Sequence, residues 1–236
     1  MKNKVVFLLI IACMCLCTSC SSFKFSPETE GYRDEYLNAV AKAEKAISGE
    51  IKVTSVLVDE AIEFKTTESI IDYKYSINDG KVVFEREDYV DGKLSSKFES
   101  DGNSVKQFDL TDEKWVDKTE ENAVFLLADK NPFATLSLFR VDNNKKVKTS
   151  YLSDVRKRTD GEYTVIEFVL NDKSVSTVLG YTKADGIVRN SAGHMRSYFI
   201  NSDGDLCKIV IEANQDVINN GKQGKYNSLM TVEIKR

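Results

Sequence analysis

The chain has 236 residues, with 33 Lys and Arg against 37 Asp and Glu, and is 42% hydrophobic and 10% aromatic. That length makes one sizeable domain or two small ones, with enough apolar material for a packed core. The charges lean acidic (net −4) and are spread evenly, which excludes the basic stripe of a nucleic-acid binder, and a single histidine, His194, excludes a histidine-rich zinc site.

At the start, Lys2 and Lys4 precede an unbroken apolar run from Val5 to Leu16. A basic stretch, a short apolar stretch and small residues behind it form a secretory signal. The run is too short to span a bilayer, which takes roughly 20 apolar residues. At its end, LCTSC (16–20) resembles the bacterial lipobox, whose last cysteine is diacylated and becomes the new N-terminus. Thr18 and Ser19 suit the two positions before Cys20, and Cys17 stands where the motif usually has Leu. Cys17 itself would have bulky Leu16 before it, so the expected lipidation site is Cys20. The competing reading is an ordinary secretory signal cleaved nearby. One acyl chain holds a protein only marginally to a membrane, whereas two or three anchor it. The expected organisation is a signal peptide (1–19), a lipid-anchored tether (20–31) carrying Pro27, and a single domain (32–236). Cleavage removes two lysines and three cysteines, leaving Cys207 as the only thiol outside the anchor. No disulfide is then available within the domain, so its core must hold it.

Next, YRDEYLNAVAKAEKAIS (32–48) carries Tyr36, Val40, Ala43 and Ile47 at spacings of three and four, with Gly49 as a stop. This predicts an amphipathic helix. After Gly49 the period falls to two. Ile71, Tyr73, Tyr75 and Ile77 alternate with polar residues, and Tyr226, Met230, Val232 and Ile234 do the same near the end. Such alternation predicts antiparallel strands with one buried face. Asp-Gly pairs at 79–80, 91–92, 101–102, 160–161, 185–186 and 203–204 supply hairpin turns between them. The reading is a meander of about ten strands.

One stretch breaks the alternation: DKTEENAVFLLADKNPFATLSLF, 117–139. Asp117 with Glu120 makes a capping box, and Asn131-Pro132 a second helix start. Two short helices are therefore expected, over about 119–129 and 132–140. Their apolar residues exceed what one packing face of each needs. Phe125, Leu126, Phe133, Leu136 and Phe139 are accordingly the candidate ligand-lining residues. A helix apolar on nearly every side is buried, so the insert is expected inside the curve of the sheet.

An N-terminal helix, consecutive hairpins, a central helical insert and further hairpins behind a lipoprotein signal resemble the LolA/LolB and LppX-type lipoproteins. The resemblance runs along the whole mature chain, and its nearest local signature is FDLTDEKWVDKTEEN (108–122), a hairpin with the lone Trp115. It implies an α+β fold, a strongly curved, mostly antiparallel sheet forming an incomplete barrel around its helices. It also implies a hydrophobic or amphipathic ligand, a lipid or a lipoprotein's acyl chain. The arginine that LolA uses beneath its helical lid is not assigned to Arg86, Arg140 or any other position.

The residues point to no enzyme and no cofactor. There is neither a Gly-x-Ser-x-Gly elbow nor a phosphate loop. EDYVDG (87–92) and NSDGDL (201–206) lack the ligand spacing of a calcium loop and read as hairpin turns. His194 reads as a surface or edge histidine, Cys207 as a small core residue alternating with Ile209 and Ile211, and Lys145, Lys146 and Lys148 as a solvated loop. The expectation is a non-enzymatic lipoprotein held by Cys20 on the outer leaflet of the cytoplasmic membrane, or on the outer membrane if the host has one. It would bind an apolar or amphipathic ligand. The alternative is a structural or protein-interaction lipoprotein of the cell envelope with no small-molecule ligand.

Overall fold

The computed structural model describes residues 23–60, 65–122, 126, 149, 152–171, 188–219 and 221–236, with backbone alone for 188–192. Helix α1 (Pro27–Glu44) is followed by β1 (Ser48–Asp59), β2 (Lys65–Asn78), β3 (Lys81–Val90), β4 (Lys93–Asp101), β5 (Val105–Asp109) and β6 (Lys114–Asp117). Then come α2 (Thr119–Asn122), β7 (Leu152–Asp160), β8 (Tyr163–Leu170), β9 (Val188–Ile200), β10 (Leu206–Asn219) and β11 (Lys222–Lys235).

All eleven strands join one sheet in the order β6-β5-β4-β3-β2-β1-β11-β10-β9-β8-β7, with every neighbouring pair antiparallel. Among the described residues the sheet is not closed, with β6 and β7 as its two edges. This is the expected α+β incomplete barrel, with one strand more than the turn signals suggested. The extra count includes the β10–β11 hairpin, which turns at Gly221 (φ 77) without an Asp-Gly pair. Asp79-Gly80 and Asp91-Gly92 adopt positive φ at both residues, as tight hairpins require. Register shifts beside Ser95, Ser153 and Cys207, and between Asn214 and Gln215, bend the strands. Bulges of this kind add local twist and curvature to a sheet.

The core lies on one face of the sheet. Ile51 and Val53, Tyr75, Val82 and Phe84, Ile166 and Phe168, Tyr198 and Ile200, Ile209 and Ile211, and Val232 and Ile234 all belong to it. Helix α1 adds Tyr36, Ala39, Val40 and Ala43 and packs on β7, β8, β9 and β10. Ion pairs tie it there, Lys42 Nζ to Asp205 at 2.8 Å and Lys157 Nζ to Glu35 at 2.6 Å.

Several expectations change. Helix α1 begins at Pro27, because Ser26 caps it in a reciprocal capping box with Thr29 and proline suits the first turn. Residues 27–31 of the expected tether are therefore helical, and Phe23 and Phe25 pack against the core. The helix ends at Glu44, leaving Ile47 outside it and 68% exposed. In the insert, Asp117 accepts from the Thr119 amide and hydroxyl instead of pairing with Glu120 as a capping box. Helix α2 covers Thr119–Asn122, the start of the first expected helix. The second expected helix (132–140) and the Asp185-Gly186 turn lie outside the described residues.

Cys207 is not a core residue. It is the extra residue of a bulge, so Leu206 and Ile209 face the core and the Cys207 thiol, half-buried, bonds the Asp205 carbonyl at 3.4 Å. Nor is His194 at a surface or edge. It sits within β9, between β8 and β10, and is 2% exposed.

Candidate functional site

On the β2–β5 side, strand alternation places one residue per strand in a row across the inner face. Tyr73 of β2 pairs with Arg86 of β3, Arg86 with Phe98 of β4, and Phe98 with Gln107 of β5. A second row adds Phe84, beside Tyr75, and a third adds Asp88, beside Ser96. With Asn122 from α2, seven of these residues (Tyr73, Phe84, Arg86, Asp88, Ser96, Phe98, Gln107) line a pocket of about 290 Å³.

Its apolar walls are rings. Tyr73 and Phe84 stack with centroids 5.4 Å apart and planes 22° apart, and the Arg86 guanidinium carbon lies 5.8 Å from the Phe98 centroid. Burial pushes the Tyr73 phenol well above its ordinary pKa, and the charge of Arg86 opposes this only partly. The phenol is therefore neutral at any physiological pH and can donate or accept a hydrogen bond.

Its polar wall is one closed group. Arg86 Nε donates to Asp88 Oδ1 at 2.7 Å and Nη2 to Oδ2 at 2.9 Å, a side-on bidentate pair. The Ser96 hydroxyl donates to Asp88 Oδ2 at 2.8 Å. The bulge at Ser95 lies next to this group, and the Ser95 hydroxyl donates to the Asp88 carbonyl at 3.0 Å. A few fixed polar groups beside an apolar lining are the usual make-up of a small-molecule pocket.

Several solved structures are similar to this chain. The chain is similar to the Mycobacterium tuberculosis lipoprotein LppX at 11% identity, covering 87% of this chain and 94% of that one, with a TM-score of 0.47. It is also similar to a LolA superfamily protein from Nitrosomonas europaea at 12% identity, covering 86% and 92%, TM-score 0.27. A DUF1329 family protein from Desulfovibrio piger follows at 6% identity, covering 88% and 91%, TM-score 0.30. The first two bear the family names that the order of elements in the sequence resembles. No protein-family model and no curated protein matches the sequence.

Of the residues singled out in the sequence, Leu126 is half-buried and packs against the core. Phe125, Phe133, Leu136, Phe139 and Cys20 lie outside the described residues. The pocket of Tyr73, Arg86, Asp88 and Phe98 was missed. Its signal was present in FERED (84–88), where Phe84, Arg86 and Asp88 share one parity. An apolar residue and an ion pair on the same strand face mark a face that is inward yet polar.

A second polar group lies on the inner face under α1 and beyond it. Tyr198, wholly buried, hydrogen-bonds both Tyr36 and Arg196. His194 is pushed down to about 3, first by burial and then by the charge of Arg196. It is thus a neutral imidazole at physiological pH. Among the described residues, no group of His, Cys, Asp and Glu is arranged to hold a metal, and no helix is long and apolar enough to cross a membrane.

Proposed function

We propose that the chain is a non-enzymatic lipoprotein, held at the outer face of a membrane by lipid on Cys20, that binds a hydrophobic or amphipathic ligand inside its half-barrel. The observation that carries this reading is the ring-walled pocket of Tyr73, Phe84 and Phe98 on the sheet's inner face. Its volume sits at the small end of the roughly 300–1,000 Å³ of small-molecule sites, so it suits one acyl chain or one chain end. The fold class and the lipobox-like LCTSC support the reading. In it, the insert residues Phe125, Leu126, Phe133, Leu136 and Phe139 contact the ligand together with these rings.

A second reading has its own support. Helix α1 fills the inner face over β7–β10 with Tyr36, Val40 and Ala43, which suits a structural or interaction lipoprotein whose concavity is mainly core. Native mass spectrometry after mild detergent extraction separates the two. Co-purified lipid, displaced by a fluorescent acyl probe, supports the carrier reading. A protein that is empty and takes up no probe leaves the interaction reading.

A further inference from the structure

We infer that Asp88 sets the charge selectivity of the β2–β5 pocket, which admits an amphipath with an uncharged polar end, such as an ester, amide or hydroxyl, and turns away a free carboxylate. This rests on the ligand-binding reading above and names the class of ligand within it.

The argument starts from the closed fork. Of the three guanidinium nitrogens of Arg86, Nε and Nη2 are both turned to Asp88. An isolated arginine in a ring-lined pocket would recruit an anion, because its planar donors match a carboxylate. Here that place is taken by a carboxylate of the protein, and Ser96 fixes it from the other side. The pair sums to no charge. An incoming carboxylate would leave water, meet Asp88 almost as closely as Arg86, and find the matching donors engaged. Both side chains are mostly sequestered, Arg86 at 28% and Asp88 at 18% exposed, so solvent does little to repay that loss. An uncharged carbonyl or hydroxyl has a much smaller desolvation penalty and needs only one hydrogen-bond partner. The Gln107 carboxamide and the neutral Tyr73 phenol face the same pocket.

Two substitutions should move the selectivity in opposite directions. Asp88→Asn frees the guanidinium to take an anion, whereas Arg86→Gln leaves the carboxylate uncompensated and repels one more strongly. The test titrates detergent-extracted, full mature protein with two probes on one fluorescent chain, a free fatty acid and the monoacylglycerol of the same acid. The parent should prefer the ester by about tenfold or more at pH 8, a modest margin for one unpaired, partly buried charge. Asp88→Asn should erase or reverse that preference, and Arg86→Gln should widen it. Thermal melts show which variants are folded, and either one alone decides the sign. Equal binding of both probes by the parent, or an unchanged ratio in a folded variant, overturns the inference while the carrier function stands. Binding of neither probe by the parent removes the carrier reading, and the inference with it.

Discussion

Tyr36 of α1 stands over Tyr198 of β9 with ring centroids 4.5 Å apart, and Phe168 of β8 closes the group at 4.9 Å from Tyr36. All three rings are buried, and the Tyr36 and Tyr198 hydroxyls are hydrogen-bonded. This cluster is where the helix is held to the sheet. Phe168→Ala should cost about 3–5 kcal/mol, as other buried aromatic truncations do. Tyr36→Phe keeps the packing and removes one hydrogen bond, so it should cost about 1–2 kcal/mol. Urea unfolding of the two variants checks the order. Equal losses would mean that the hydroxyl contact, not the packing, carries the joint.

The buried imidazole makes stability fall in acid. The folded pKa of His194 is about 3 against 6.5 for a free histidine, so between these values the unfolded chain binds the extra proton. Stability from this residue is fully present above pH 6.5 and is lost as pH falls toward 3, by up to about 1.4 kcal/mol per unit. Unfolding free energies from urea titrations at pH 7.5 and 4.5 should differ by less in His194→Gln than in the parent, by about 1–3 kcal/mol. The carboxylates titrate in both proteins and cancel in the comparison. An identical pH slope would show that His194 is not held neutral.

Two glycines should respond with opposite signs. A Cβ at Gly49 would sit 2.8 Å from the Lys235 carbonyl oxygen and 3.4 Å from the Tyr75 ring. Backbone cannot yield cheaply there, so Gly49→Ala should cost about 1–3 kcal/mol. Gly31 is exposed in α1 with nothing within 4 Å of the same position. Gly31→Ala should stabilise by about 0.5–1 kcal/mol through helix propensity. Differential scanning calorimetry of the pair reads both, and a stabilising Gly49→Ala would contradict the close approach of β1 to the chain end.

The anchor is tested by one atom. Cys20→Ala removes the thiol that a diacylglycerol would modify, so the protein should leave the membrane fraction and run as unprocessed precursor or secreted chain. Fractionation with metabolic palmitate labelling measures it. A Cys20→Ala protein that stays labelled and membrane-bound would exclude Cys20 as the lipidated residue.

Much of the sheet could be read from the chain because its signals are local. Ile71, Tyr73, Tyr75 and Ile77 face inward as their period of two requires, and Asp79-Gly80 and Asp91-Gly92 turn where their chemistry says. What was misread depended on more than one segment. Cys207 looked like part of an alternating run, but a bulge at that residue breaks the parity, and nothing in Leu206-Cys207-Lys208 announces it. His194 looked peripheral because its neighbours Gly193 and Met195 carry no apolar pattern; its burial comes from strands β8 and β10, distant in sequence. The pocket was hidden for a different reason. Arg86 and Asp88 look like ordinary surface charges until Phe84, two residues earlier on the same face, is seen to lie in the core.

The sheet is sewn together in the middle by its first and last strands, Ile51 opposite Ile234 and Val53 opposite Val232. Strands β1 to β6 can pair with their chain neighbours while the chain is still emerging, and so can β7 to β11 once they are out. The seam between them pairs residues 167 to 185 positions apart and has to wait for β11. Contacts so distant in sequence come late and set the pace of folding. A chain of this design keeps an unpaired β1 edge until β11 is in place, and losing β11 would leave two sheets rather than one shorter one.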